Sequence, residues 1–254
     1  MNAAYLVLPL LLAGACAPRH PTPVTMSPVE GTSRPGARAE TWRVQLALAT
    51  SLLEHGNANA ALALIATVRA TGGQGVEIDV LEGRALRKAG LVDAAESLLV
   101  SVARRYPSRG EAWNDLGILA MERRDFPAAV ERFERAVRRE PRRADYADNL
   151  GFSLLAAGRA PEAVVALQRA LEQNGASPRV RANLAIALVA CDRDAEARRL
   201  LSAGGDRVEA FVLLGAALEL RGDEPAALAA YREGLALDPT HPGIASAIAQ
   251  LESP

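Results

Sequence analysis

Apolar residues return along this chain at helical spacing, in two runs per block, and the blocks themselves repeat. Between residues 110 and 143 the first run is Trp113, Leu116 and Leu119, and the second is Ala129, Val130, Phe133 and Val137. Each run predicts an amphipathic helix. Leu116-Gly117, Leu150-Gly151 and Leu184-Ala185 stand 34 residues apart, and Ala129, Ala163 and Ala197 follow at the same interval. Upstream the comb reaches Leu48-Ala49 with Ala61, then Gly83 with Ala95; downstream, after a step of 30, it reaches Leu214-Gly215 with Ala227. The units run 42–75, 76–109, 110–143, 144–177, 178–207 and 208–241, with 242–254 left as a solitary last helix. No unit can bury its apolar stripe alone, so neighbours must stack, and the expected fold is an all-α array without a single globular core.

Punctuation agrees with the pattern. Gly56, Gly90, Gly158 and Gly222 fall between the two runs of their units, where a residue in the left-handed region ends a helix. Pro107, Pro141 and Pro239 stop the second helices. Unit 144–177 ends in Asn174-Gly175 instead. Small residues such as Gly151 and Ala163 allow close helix approach, with Phe133 or Tyr231 filling the space alongside. Two irregularities stand out. Unit 178–207 is four residues short and runs into Ala203-Gly204-Gly205-Asp206, which predicts a local change of superhelical pitch. Glu82 occupies a column that is Leu elsewhere; an unpaired buried carboxylate is costly, so either its unit shifts or Glu82 finds an arginine. In 242–254, Ser246, Gln250 and Glu252 interrupt the apolar pattern, as suits a helix closing an array.

Unit 110–143 carries Trp113, Leu116, Gly117, Ala129, Phe133, Ala136 and Pro141, and on these residues the chain resembles the tetratricopeptide repeat; Ala120, where a large residue is usual, departs. The resemblance covers about four fifths of the sequence. It implies a right-handed superhelical solenoid of six helix pairs plus a C-terminal capping helix.

The front of the chain is different. Residues 5–15 form an apolar run ending in small residues and followed by Cys16. Eleven residues are too few to span a bilayer as a helix at ~1.5 Å each, but suit the core of an export signal. Leu12-Ala13-Gly14-Ala15-Cys16 resembles the bacterial lipobox, departing from it at Ala13, where Leu is commoner. The resemblance implies removal of 1–15 as a signal peptide, acylation of Cys16 and, with Ala17 following, retention on the periplasmic face of the outer membrane. No Lys or Arg precedes the run, so either the amino terminus alone supplies the positive charge or the start lies upstream of Met1. The competing reading is a cytosolic chain with an apolar stub. Residues 17–41 hold Pro18, Pro21, Pro23, Pro28 and Pro35 among Ser, Thr and Gly, a composition unable to form a core. They read as a tether with a reach of roughly 25–30 Å.

Composition narrows the chemistry. With Cys16 acylated, Cys191 is alone and no disulfide can form within the mature chain; on its Ala-rich stretch it reads as a small core residue. His20, His55 and His241 make no metal-spaced cluster and no nucleophile–base pair. Gly72-Gly73-Gln74-Gly75 lacks the flanking strand and the Lys-Ser or Lys-Thr of a phosphate loop. Arginine is abundant, with Arg138-Arg139 and Arg142-Arg143 flanking Pro141, but the net charge is −1 and Lys88 is the only lysine. That balance argues against nucleic acid and fits arginines at helix C-termini. The expectation is a binding scaffold, not an enzyme, with no cofactor beyond the covalent lipid and no small-molecule substrate.

Within each first helix, a stripe at i, i+4 and i+7 lies beside the face that packs on the second helix, and in tetratricopeptide arrays this stripe lines the concave groove. It comprises Leu46, Thr50, Leu53; Val80, Arg84, Arg87; Asn114, Ile118, Met121; Asp148, Phe152, Leu155; Ala182, Ile186, Val189; and Val212, Ala216, Glu219. The groove starts basic at Arg84, Arg87 and Lys88 and turns apolar from Ile118 to Val212. Asn149 and Asn183 share a column from which amides could bond the main chain of an extended peptide. Phe152, a large aromatic in an aromatic-poor chain, is the leading anchor. Leu155 and Val189 fit the groove and inter-repeat packing equally; Phe152 and Ile118 are assigned to the groove.

A lipidated array of six such units resembles the pilotin lipoproteins (Tgl and PilF type). The stretches 148–155 and 178–185 are also similar to the TadD lipoproteins of tight-adherence pili. Both resemblances imply a protein partner, an outer-membrane secretin or other pilus component, whose assembly or localisation the chain assists. The alternative is a periplasmic adaptor lipoprotein bringing a protease or cell-wall enzyme to its substrate. A cytosolic co-chaperone would carry a tight Lys and Asn cluster, of which only Asn149 and Asn183 hint.

Overall fold

The computed structural model describes residues 35–173 and 177–253. Thirteen α-helices run through them: α1 (Pro35–Glu54), α2 (Ala58–Ala70), α3 (Val76–Lys88), α4 (Val92–Arg105), α5 (Glu111–Glu122), α6 (Phe126–Arg139), α7 (Ala144–Ala156), α8 (Ala160–Gln173), α9 (Pro178–Val189), α10 (Asp194–Ser202), α11 (Arg207–Arg221), α12 (Glu224–Leu237) and α13 (Pro242–Leu251). Consecutive helices pair and pairs stack in chain order, with each first helix also touching the first helix of the next pair. The described residues form an all-α solenoid of six pairs closed by α13. None of their helices is long and apolar enough to cross a membrane.

The turn inside every pair uses one backbone device. Gly56, Gly90, Gly158 and Gly222 sit at φ of 78°, 79°, 74° and 85°. Arg124 and Asp192 occupy the same phase in the two pairs that lack a glycine, and both adopt φ near 58°. The repeat geometry thus imposes the left-handed conformation on side chains that disfavour it. Just beyond it, Asn57, Asp125 and Asp223 accept hydrogen bonds from Ala60, Ala128 and Ala226 N–H and cap their second helices. Pro107, Pro141 and Pro239 each stand two residues past the end of a second helix. Asn174-Gly175 lies outside the described residues.

First and second helices meet where a residue lacks a side chain. A Cβ on Gly117 would lie 2.6 Å from the Phe133 ring, and one on Gly151 would lie 2.4 Å from Leu167. Ala129, Ala163, Ala197 and Ala227 are fully buried in the complementary column. In the fifth pair α10 keeps nine residues, and α9 packs directly on α11 across the shortened element. The missing turn is thus taken out of one helix. Cys191 is partly buried against the surrounding apolar cluster.

One expectation is revised, and one of two alternatives is selected. The first helix begins at Pro35, inside the stretch read as tether. All five prolines of 17–41 lie at or before 35; Pro35 opens the helix, where its missing N–H costs nothing, and Ala, Arg and Glu follow. Glu82 resolves by pairing. It accepts from Arg69 Nη2 at 2.7 Å and from Arg69 Nε at 3.2 Å, while the buried Asp79 is held by Arg69 and Arg105.

Candidate partner groove

The outward stripe of the first helices opens into a cleft of about 420 Å³ on α5 and α7. Ile118, Met121 and Phe152 supply its apolar walls, Phe133 its floor, and Asn149, Glu122 and Arg179 its polar edge. Phe152 is 50% exposed, although it is as large as side chains that are fully buried elsewhere. The cleft gathers four of the residues expected in the groove. Three others, Phe133, Glu122 and Arg179, were not anticipated, because they reach it from another helix or another column.

The polar groups nearby are already committed. Asn149 Nδ2 donates to Asn114 Oδ1 at 2.8 Å, and Asn183 Nδ2 donates to Asp148 Oδ1 at 3.2 Å. These amides are rungs between adjacent repeats, each leaving its carbonyl oxygen and second N–H for another partner. Arg179 pairs with the buried Asp148 while remaining 61% exposed itself. Burial pushes the Asp148 carboxyl above its ordinary range, with Arg179 and Asn183 opposing.

Two of the three cations of the expected basic entrance are neutralised, and Lys88 is exposed without an ion pair among the described residues. Arg84 Nε donates to Asp115 Oδ2 at 2.7 Å, and Arg87 pairs with Glu122. Asp115 is 1% exposed, and burial pushes its pKa up to about 6 against the pull of Arg84. Arg84 lines a second cleft of about 340 Å³ with Leu46, Thr50, Val80, Glu77 and Arg143. Val189 is fully buried and Asn114 is 5% exposed, so neither presents a surface to a partner. Leu155, Ile186 and Val212 are partly buried and pack on the core. In this half of the stripe, the short fifth pair draws α9 and α11 together and covers side chains that spacing alone leaves outward.

Among the described residues no group of His, Cys, Asp or Glu is placed to hold a metal. His55 bonds the Ser51 carbonyl, and His241 caps α13 by accepting from Ile244 N–H. His20 and Cys16 lie outside the described residues.

Profiles of the tetratricopeptide repeat match residues 46–109, 80–124, 114–179 and 193–242, and a further one matches 154–208. The chain belongs to the tetratricopeptide-repeat family, whose members serve as scaffolds for protein–protein interaction. No curated protein matches the chain. Among solved structures, PilF of Pseudomonas aeruginosa superposes with a TM-score of 0.63 at 17% identity, over 84% of this chain and 99% of that one. YrrB, described as a tetratricopeptide-repeat protein with an unusual peptide-binding site, gives 0.58 at 18% identity, over 72% and 96%. A repeat protein of Thermus thermophilus gives 0.56 at 21%, over 70% and 98%. At these identities the likeness is one of fold.

Proposed function

We propose that this tetratricopeptide-repeat chain is a lipid-anchored scaffold that captures an apolar segment of a partner protein in the Phe152 cleft. Through that capture it assists assembly or localisation of an outer-membrane secretin or related pilus component. The half-exposed Phe152, set among Ile118 and Met121 with polar groups only at the edge, carries the reading. Binding sites are concave, mostly apolar and rimmed by a few oriented polar groups, and Phe152 leaves half of a large aromatic surface available to a partner. The edge presents unused amide groups of Asn149 and the exposed guanidinium of Arg179, which suits a segment with an apolar side chain and a free backbone or carboxylate beside it. The fold shared with PilF favours the pilotin role, and the peptide-binding site of YrrB favours a groove ligand.

Acylation of Cys16 would place the array at the outer membrane. About 0.8 kcal/mol per buried CH₂ makes one acyl chain a weak anchor and several an effectively permanent one. Membrane fractionation of Cys16→Ser against wild type tests the anchor, and unchanged fractionation sinks it. Loss of heat-resistant secretin multimers in a deletion strain is expected. Normal multimers, with a soluble protease or cell-wall enzyme co-purifying instead, would replace the pilotin role with that of an adaptor.

A further inference from the structure

The phase of Val44 recurs at Ile78, Ala112, Tyr146, Val180, Ala210 and Ile244, and each of these six is at most 6% exposed. They are covered because every first helix from α3 onward packs on the second helix of the pair before it. Ile78 shares a buried cluster with Ile65 and Val68 of α2, and Ile244 lies against Gly234 of α12. Among the described residues no helix precedes α1, and there Val44 is 66% exposed. Leu48 is 52% exposed, whereas Leu116, Leu184 and Leu214 at its phase are buried. At the other end α13 covers the last pair and turns Ala245, Ser246, Ala249 and Gln250 to solvent. A stacked array needs such a covering at both ends. On α1, the face that takes a helix everywhere else stands open.

We infer that this face pairs with the same face of a second copy, α1 against α1, about a two-fold axis. Val44, Ala47, Leu48 and Ser51 line it at helical spacing. Antiparallel pairing centred on Ala47 and Leu48 sets Leu48 over Ala47 of the other copy and Val44 over its Ser51. Large side chains then meet small ones, and the helices approach to about 8–10 Å. Charge decides the occupant. Arg43 and Glu54 stand on one flank of the face, both exposed, and neither has a hydrogen bond or ion pair among the described residues. About three helical turns, or roughly 16 Å, separate them along α1, too far to pair within one chain. The two-fold brings Arg43 of each copy beside Glu54 of the other and makes two ion pairs from four unpaired groups. A foreign helix or a lipid surface would cover the apolar residues but leave that self-complementarity unused. Neither the Phe152 cleft nor the lipid anchor enters this inference.

The test is sedimentation of the full-length chain over a dilution series, expressed without export and kept reduced so that Cys16 and Cys191 stay thiols. One helix per copy is a small interface, so a dimer with a midpoint in the micromolar range is expected. Val44→Glu/Leu48→Glu should stay monomeric throughout with helicity unchanged, since both side chains stand largely in water in the single chain. Val165→Glu, on α8 and as exposed as Val44, should dimerise as wild type. Arg43→Glu alone and Glu54→Arg alone should each weaken the dimer roughly tenfold, and Arg43→Glu/Glu54→Arg should restore it. Because the two groups cannot meet within one chain, that rescue arises only between copies. A wild type that stays monomeric, a dimer unmoved by Val44→Glu/Leu48→Glu, or no recovery in the charge swap would each overturn the inference. Phe152→Asp should dimerise normally, so failure of the groove reading and failure of this one are seen separately.

Discussion

The two halves of this array join their repeats by apolar and ionic contacts in different proportion, the second half keeping one buried ion pair between repeats, Arg179 with Asp148. From α6 to α13 the buried side chains form one continuous apolar cluster, rich in Ala and Leu, that runs through every remaining pair. From α1 to α6 they form three separate clusters. Between those clusters lie ionic seams: Asp79 and Glu82 with Arg69 and Arg105, and Asp115 with Arg84. Apolar joints gain stability from area and tolerate small slides. Ionic joints gain little net stability, because desolvation offsets attraction, but they penalise any register that leaves a buried charge alone. The Phe152 cleft opens at the junction of the two halves, beside the smallest cluster, that of Ala120, Ala129 and Phe133. A binding site there borrows its floor from Phe133 and its walls from two differently built neighbours.

The largest effect is expected at the α3 seam. Arg69→Ala leaves Glu82 without a partner and the buried Asp79 with Arg105 alone, and should cost about 3 kcal/mol in denaturant unfolding. Replacing the whole group, as Arg69→Met/Asp79→Leu/Glu82→Leu, should recover wild-type stability or exceed it, since the leucine column is then complete. A cost below about 1 kcal/mol for Arg69→Ala would mean that the seam is solvated and that the two halves do not differ in kind.

Nearly as large is a pH effect in the ionic half. Asp115 has a folded pKa raised to about 6 from 3.8, so the folded chain holds this proton more tightly than the unfolded one. The stability it contributes is complete below about pH 4 and is lost as pH rises through 6, amounting to about 3 kcal/mol. Glu96, held low mainly by its hydrogen bond to Arg123, acts in the opposite sense. The informative comparison is therefore between variants at each pH. The stability of Asp115→Asn relative to wild type should rise by that amount between pH 4 and pH 7. A flat difference would show that Asp115 ionises as in water.

In the apolar half, Gly151→Ala drives a methyl into Leu167, and overpacking of this kind costs about 2 kcal/mol. No loss would mean that α7 and α8 separate freely. Arg124→Gly relieves a left-handed non-glycine residue that has no ion pair and should stabilise by about 1 kcal/mol. Asp192→Gly should gain less, because it also gives up a 3.2 Å contact with Arg221.

Local rules made the repeat readable. Helical spacing marked the pairs, and the glycines at 56, 90, 158 and 222 and the prolines at 107, 141 and 239 marked their ends. Phe152 and Ile118 emerged from phase alone. What stayed hidden depends on contacts between units. The left-handed turns at Arg124 and Asp192 follow from repeat geometry against local preference. The rungs Asn149–Asn114 and Asn183–Asp148 join residues 35 apart, one more than the period, so a column read along one phase does not find them. Glu82 finds its partner on the preceding helix, and Val189 is buried by a neighbour drawn in by a deletion elsewhere.

The smallest effect on stability is expected at the residue of greatest functional weight. Phe152 is half in water, so Phe152→Asp should leave helicity and melting nearly unchanged while abolishing capture of the partner segment. The most direct measurement is co-purification of the partner with Phe152→Asp and with wild type, with a melting curve on each. Loss of the partner at an unchanged melting temperature is the predicted result. Retained partner, or a large drop in melting temperature, would contradict the assignment of this cleft as the binding site.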